Sequence, residues 1–272
     1  MRWTDEVERG RWFRERLNDR WGSIHFIIPT GIEAYARVFH PADRDRLVAP
    51  ETWREWVPGS IHLPEIERQK VSWATVADAF GTTMHPLAQF GLVLAVEPDR
   101  NGQLLDVHDW RYNAPQQGNL DAATVTALAR HLSQHTASPD SGIVAVWEGW
   151  GGMLMPVGSG ESTLLDLPWR RHVLFEAGVS ELADPDWPAS APWVEPVWAA
   201  DSPSIIWPDD LAWVSATEVD FDSTLVAGSR ALIDELVAST SVEALEIDSS
   251  ADLTSAGDRV NPDGVSTPGD CA

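Results

Sequence analysis

The residues of this chain best suited to chemistry are Glu218, Asp220 and Asp222, three acids at alternating positions in the run AWVSATEVDFDSTL. Read as an extended strand, this spacing puts the three carboxylates on one face, about 6.5–7 Å apart in succession. Clustered carboxylates do two kinds of work. They hold hard divalent cations, so Mg²⁺ or Ca²⁺ is the cofactor such a cluster would take, if any. They also resist joint ionisation, which raises the proton affinity of one member and suits it to acid–base transfer. The competing expectation is structural. Asp222 and Ser223 precede a helix expected from Thr224 to Ala238, and acids at a helix N-terminus stabilise it by about 0.3–1 kcal/mol.

Two further groups invite a functional reading. Trp147, Glu148 and Trp150 lie in WEGWGG, directly after an apolar run. Indoles and glycines at a strand end can shape a ligand cleft, with Glu148 as its polar contact and the ring faces stacking on a sugar or base. A tight turn with tryptophans capping the core explains the same residues. His131 and His135 stand one helical turn apart and could share a metal. They lack the acid of the H-E-x-x-H pattern, because Leu132 occupies that place, and two polar-face histidines near a helix C-terminus are expected on charge grounds alone. Arg170 and Arg171 are adjacent, so on a strand they face opposite ways and do not clamp one anion. The sequence holds no nucleophile elbow, no P-loop and no dinucleotide fingerprint.

The stretch VDFDSTLVAG resembles the nucleophile motif of haloacid dehalogenase-type phosphatases. That resemblance implies Asp220 as nucleophile, Asp222 as acid/base and Thr224 as a phosphate contact. It spans about eight residues, and no lysine follows Lys70 to match the family's phosphate-binding lysine. A broader similarity covers most of residues 20–250. The blocks GIEAYARVFHPA, SWATVADAFGTTMHPLAQF and IIWPDDLAWVSATEVDFDSTLVAGSRALIDEL resemble a family of bacterial proteins from high-GC lineages that carries no known activity. This similarity implies a free-standing cytoplasmic domain and supplies no catalytic residue.

Charge narrows the partners. The chain has 272 residues, 42 Asp+Glu against 19 Lys+Arg, and a formal net charge of -23. The acid is concentrated late: residues 172–272 hold 20 acids and only two basic residues, Arg230 and Arg259. Such a surface repels phosphate backbones, so nucleic acid is not an expected partner. The acidic third is either a solvated face or a docking surface for a basic protein. Cys271 is the only cysteine, which excludes an internal disulfide and thiolate metal sites. No apolar run reaches membrane-spanning length and the N-terminus is charged throughout, so a cytoplasmic protein with no membrane partner is expected.

These residues need elements to hold them. Ser72 reads as the N-cap of a helix over Trp73–Phe80 that Gly81 ends, and Asp121 as the N-cap of a helix over Ala122–His135. Strands are expected at Ser23–Pro29 and Ile32–His40 as a hairpin, then at Gly142–Trp147, His172–Phe175, Ala212–Phe221 and Val242–Ile247. The proline-rich stretch 185–208 reads as extended chain pinned by its tryptophans. Helices and strands do not alternate strictly, which favours an α+β fold with a mixed or mainly antiparallel sheet. One domain is expected over 1–250, with an acidic, disordered tail over 251–272. The expected function is a non-enzymatic binding protein whose acidic third docks a basic protein, as immunity-type proteins do. A metal-dependent hydrolase using Glu218, Asp220 and Asp222, or a small-ligand or sugar binder using Trp147, Glu148 and Trp150, are the alternatives.

Overall fold

Alternating and continuous apolar runs build most of this fold, and local caps set where its helices begin and end. The computed structural model describes residues 1–48, 65–95, 104–195 and 199–261. In chain order the strands are β1 Arg2–Thr4, β2 Ala34–Phe39, β3 Ala42–Leu47, β4 Ile66–Val71, β5 Arg111–Asn113 and β6 Gly142–Trp147. They continue as β7 Leu165–Asp166, β8 Arg171–Glu176, β9 Ile205–Pro208, β10 Val214–Thr217, β11 Ser223–Gly228 and β12 Ala244–Glu246. The helices are α1 Arg11–Arg14, α2 Trp73–Phe80, α3 Phe90–Leu94, α4 Ala122–Gln134, α5 Val179–Leu182, α6 Trp187–Ser190 and α7 Arg230–Ala238. The fold is α+β with antiparallel sheets, and none of these helices is long and apolar enough to cross a membrane.

The contacts divide the chain into two units, residues 1–40 with 116–257, and residues 41–115 with 258–272. The first unit is built on a sheet of order β1-β8-β6-β9-β10-β11-β2-β12, with β7 beside β8. One face packs Ala36, Val38, Val144, Val173 and Val226 against α4 and α7, which contribute Leu128, Leu132, Leu232 and Leu236. Each such fully buried aliphatic side chain contributes roughly 1.5–3 kcal/mol. On the other face the N-terminal segment brings Phe13 to stack on Trp207, and His25 edge-on to Tyr35. β2 is therefore buried along its whole length.

Several expectations are corrected here. Ser23–Pro29 is not a strand: Ile24–Phe26 forms a 3₁₀ turn capped by the Ser23 hydroxyl, which accepts the His25 N–H. β2 consequently has no hairpin partner before it and pairs with β11 and β12. The run read as one helix from Thr224 is strand β11 followed by α7, whose N-cap is Ser229. Thr224, Val226 and their neighbours are β-branched or small, and pairing on both sides decides their state over local propensity. The proline-rich stretch contains the single turn α6, with Pro188 in its first turn, and the central strand β9, with Pro208 at its end. Both positions spare proline a hydrogen bond it cannot donate. The caps at Ser72 and Asp121 and the left-handed Gly81 stand as read.

The second unit carries the three-stranded sheet β4-β3-β5 with α2 and α3. Of the stretch expected as a tail, residues 251–261 are described, with Ala251, Leu253, Asp258 and Asn261 buried, and 262–272 lie outside the described residues. Asp258 is buried and accepts N–H bonds from Gln89, Val260 and Asn261, besides one from the His85 ring. Burial alone would raise its pKa, but the Asn261 side-chain N–H and the backbone N–H groups of Asn261, Gln89 and Val260 hold it down, at about 2. A depressed carboxylate stabilises the fold fully above its ordinary pKa of 3.8 and loses that contribution as pH falls towards 2. Hydrogen exchange of the Gln89 and Asn261 amides should therefore accelerate as pH is lowered through that window, beyond the change intrinsic to exchange chemistry. Asp258→Ala should accelerate it already at neutral pH, by an opening free energy lower by about 2–3 kcal/mol.

Candidate functional site

The turn between β10 and β11 holds the three acids singled out by sequence, and it is a turn rather than a strand. The Phe221 N–H bonds to the Glu218 carbonyl, which reverses the chain. The premise of strict alternation along one face therefore fails for Glu218, Asp220 and Asp222. The turn is pinned by a close backbone approach. Gly118, at φ +69°, donates its N–H to the Phe221 carbonyl, and a Cβ there would lie 2.5 Å from the Val219 Cα. Only glycine fits both the conformation and the space.

Each acid has an arginine. Arg170 donates from Nε to Glu218 Oε1 at 2.7 Å and from Nη2 to Asp220 Oδ2 at 2.7 Å. Arg37, on β2 and only 1% exposed, donates from Nε to Ser223 Oγ at 2.8 Å and from Nη2 to Asp222 Oδ1 at 3.3 Å. Arg170 lies between two of the carboxylates, where a cation shared by them would have to sit. Burial pushes the Glu218 and Asp222 carboxyls upwards, while the neighbouring guanidiniums pull against it. Among the described residues, no three His, Cys, Asp or Glu side chains are arranged around a metal position.

Arg170 comes from a second hairpin tip. β7 and β8 are joined through Leu167–Arg170, closed by the Leu167 N–H on the Arg170 carbonyl, with Pro168 and Trp169 at the tip. That tip leaves Trp169 61% exposed. Its ring lies 5.7 Å from Phe26, which meets Trp21 edge-on at 5.0 Å, and Trp21 in turn lies 5.3 Å from Phe221. Trp21 is itself 51% exposed. It is placed by Gly22, whose carbonyl accepts the Leu253 N–H at 2.7 Å.

Between the two tips lies a shallow, open cleft that encloses only about 30 Å³. Phe26, Leu167, Pro168 and Trp169 form its apolar wall, and Arg170, His172, Thr217 and Glu218 its polar lining. His172 is 5% exposed, and its Nδ1 has no hydrogen-bond partner among the described residues. Burial, reinforced by the charge of Arg170, lowers its pKa to about 4, so the ring is neutral at pH 7.

The other residues read from sequence are already engaged. Trp147 ends β6 and carries the Arg170 guanidinium over its ring at 4.9 Å. Trp150 meets Trp147 edge-on at 5.4 Å and is partly buried against the core. The Glu148 carboxylate accepts Arg171 Nε at 2.6 Å. Arg170, in the tip, and Arg171, the first residue of β8, thus serve different carboxylates. His131 and His135 both contact the Glu235 carboxylate, at 2.6 and 2.7 Å, tying α4 to α7. Sequence reasoning missed Trp21, Trp169 and His172. The one available signal for Trp169 was the Pro-Trp pair between two strand-forming runs, which marks a turn tip.

Arg170→Ala should leave Glu218 and Asp220 facing each other without a cation and lower stability by about 1–3 kcal/mol, the lower end because Asp220 stays in solvent. The variant should also gain a rise in Tm with excess Ca²⁺ that the native chain lacks; equal rises in both would place the ion elsewhere. Comparison with protein-family models, with curated proteins and with solved structures gives no match, so this geometry alone carries the functional argument.

Proposed function

We propose that this chain is a non-enzymatic binding protein that docks a basic protein partner through Trp21, Trp169 and the Glu218–Asp222 turn. The exposure of the two indoles within one connected aromatic cluster carries this reading. Contiguous exposed apolar surface of this kind marks interaction sites, and Trp and Arg dominate binding hot spots. The net charge of -23 selects the partner's sign. It steers cationic surfaces inwards and repels phosphate groups, which disfavours nucleic acid.

Arg170 weighs against the metal-dependent hydrolase. It already supplies positive charge to Glu218 and Asp220 and occupies an oxygen of each, where a metal ion would have to bind. The sugar reading through Trp147, Glu148 and Trp150 is weakened in the same way, because Arg170 and Arg171 engage that indole and that acid.

The test is a titration of a short peptide alternating glycine with lysine and arginine, followed by tryptophan fluorescence at low and near-physiological salt. Binding should persist at the higher salt, and the double substitution Trp21→Ala with Trp169→Ala should weaken it about tenfold or more without altering Tm. Equal binding by the native chain and the double variant would remove this face as the site.

A further inference from the structure

We propose that Ser241 is a nucleophile activated by His131, with Glu235 behind the imidazole, and that it takes an acyl group from an uncharged activated ester. This site stands independently of the docking reading above: one acyl transfer to the chain itself requires neither a partner protein nor turnover.

The side chains form a Ser–His–Glu arrangement. His131 lies in α4, Glu235 in α7, and Ser239 and Ser241 in the turn that follows α7. The Glu235 carboxyl is held below its ordinary pKa by His131 and His135, so it is ionised and only accepts. Its Oε1 lies 2.6 Å from His131 Nδ1, so in the neutral ring Nδ1 carries the proton and donates it. Nε2 then keeps its lone pair, and it lies 3.1 Å from Ser241 Oγ and 3.0 Å from Ser239 Oγ. An imidazole fixed in this way is a base aimed at a hydroxyl proton, and such constellations are recognised by geometry and not by sequence position. The second oxygen of Glu235 is bound by His135 Nε2 at 2.7 Å, which holds the carboxylate in place.

Helix capping explains part of this cluster and not the rest. Ser239 is the C-cap of α7, and its Oγ accepts the Ser241 N–H at 3.1 Å, a local serine turn that needs no histidine. Capping does not call for an imidazole whose acceptor nitrogen meets both hydroxyls while its donor nitrogen meets a carboxylate. The turn also selects between the serines. An N–H already occupies a lone pair of Ser239 Oγ and Ser239 is half-buried, whereas Ser241 is exposed. Attack by Ser241 Oγ on an ester carbonyl forms the Oγ–C bond and breaks the bond from that carbon to the leaving oxygen. The Ser241 proton passes to His131 Nε2, where Glu235 stabilises the imidazolium, and from there to the leaving oxygen. Ester and serine thus become acyl-serine and alcohol. Charge sets the donor class: residues 172–272 carry 20 acids and two basic residues, which repels anionic acyl donors such as acyl phosphates.

The probe is p-nitrophenyl acetate, incubated with the full chain and with Ser241→Ala, Ser239→Ala, His131→Gln and Glu235→Gln variants. Acetyl groups are counted by intact mass and located by peptide mapping, and Tm is recorded for every protein. Competing amines are few, because Lys70 is the only lysine. The native chain should gain one acetyl group, at Ser241. Ser239→Ala should keep that reaction and Ser241→Ala should lose it, both with Tm little changed, because neither removes the bond between His131 and Glu235. His131→Gln should slow acetylation of Ser241 about a hundredfold. Glu235→Gln tests positioning: the rate should fall, and its rise with pH should begin at lower pH, because the imidazolium loses its carboxylate while His135 remains. Equal rates at Ser241 in the native chain and in His131→Gln would overturn the proposal, as would acetyl groups confined to Lys70, Cys271 or the Met1 amine. Should His131→Gln unfold the chain, a comparison within the native protein decides. Ser241 must then react about a hundredfold ahead of Ser250, an exposed serine whose hydroxyl meets only Asp248, and equal reaction of the two would overturn the proposal.

Discussion

Three carboxylates in one five-residue turn cannot sit together without positive charge, and the two guanidiniums that supply it organise everything around them. Arg170 reaches from the β7–β8 tip to Glu218 and Asp220, and Arg37 reaches from inside the sheet to Asp222. The pairs are not equivalent. Asp220 is exposed, so its bond to Arg170 adds little stability by itself. Arg37 is buried, and a buried guanidinium without its carboxylate leaves an uncompensated charge in the core. The Asp222 pair therefore fixes the root of the turn, while the Arg170 pair fixes its tip relative to the second hairpin. With both in place the two tips stand at a set separation, and the cleft between them follows.

The same arrangement decides what the acids are available for. A carboxylate used as a general base needs a raised proton affinity and a proton within reach. Burial raises that of Glu218, but Arg170 opposes the rise and occupies one oxygen. What remains is a fixed acceptor in a partly dry setting. The neighbouring His172 ring is neutral at pH 7 and lines the same cleft as Trp169.

Local signals in the sequence were enough for the helices and for strands bounded by clear punctuation. Ser72, Gly81 and Asp121 announce their helix ends through side chains that satisfy orphan amides or allow a left-handed residue. Gly142–Trp147 and His172–Phe175 are continuous apolar runs that locate β6 and the centre of β8. The failures share a cause. VDFDSTLVAG has a strand's alternation where the chain in fact turns, and a helix-compatible composition where it is in fact a strand, because β2 and β10 pair with it from positions remote in sequence. Ser23–Pro29 is apolar enough for a strand, yet the Ser23 hydroxyl closes a 3₁₀ turn on it. The acids were found and their partners were not: Arg170 is 48 residues from Glu218 and Arg37 is 185 from Asp222. Spacing along the chain carries no information about such pairs.

That remoteness has a consequence for how this aromatic surface exists at all. Its rings and acids come from three stretches: the N-terminal turn with Trp21 and Phe26, the β7–β8 tip with Trp169 and Arg170, and the β10–β11 turn. The first is held by the far end of the same unit, through the Leu253 N–H on the Gly22 carbonyl and the Ser23–Asp252 bridge. A Cβ at Gly22 would lie 2.2 Å from Thr254, so this junction admits no larger residue without displacement. None of the three stretches brings more than part of the cluster, and none has a face of its own to present. The rings meet only when both ends of the unit have closed on the sheet. A fragment containing one of the three stretches carries the residues but not the surface.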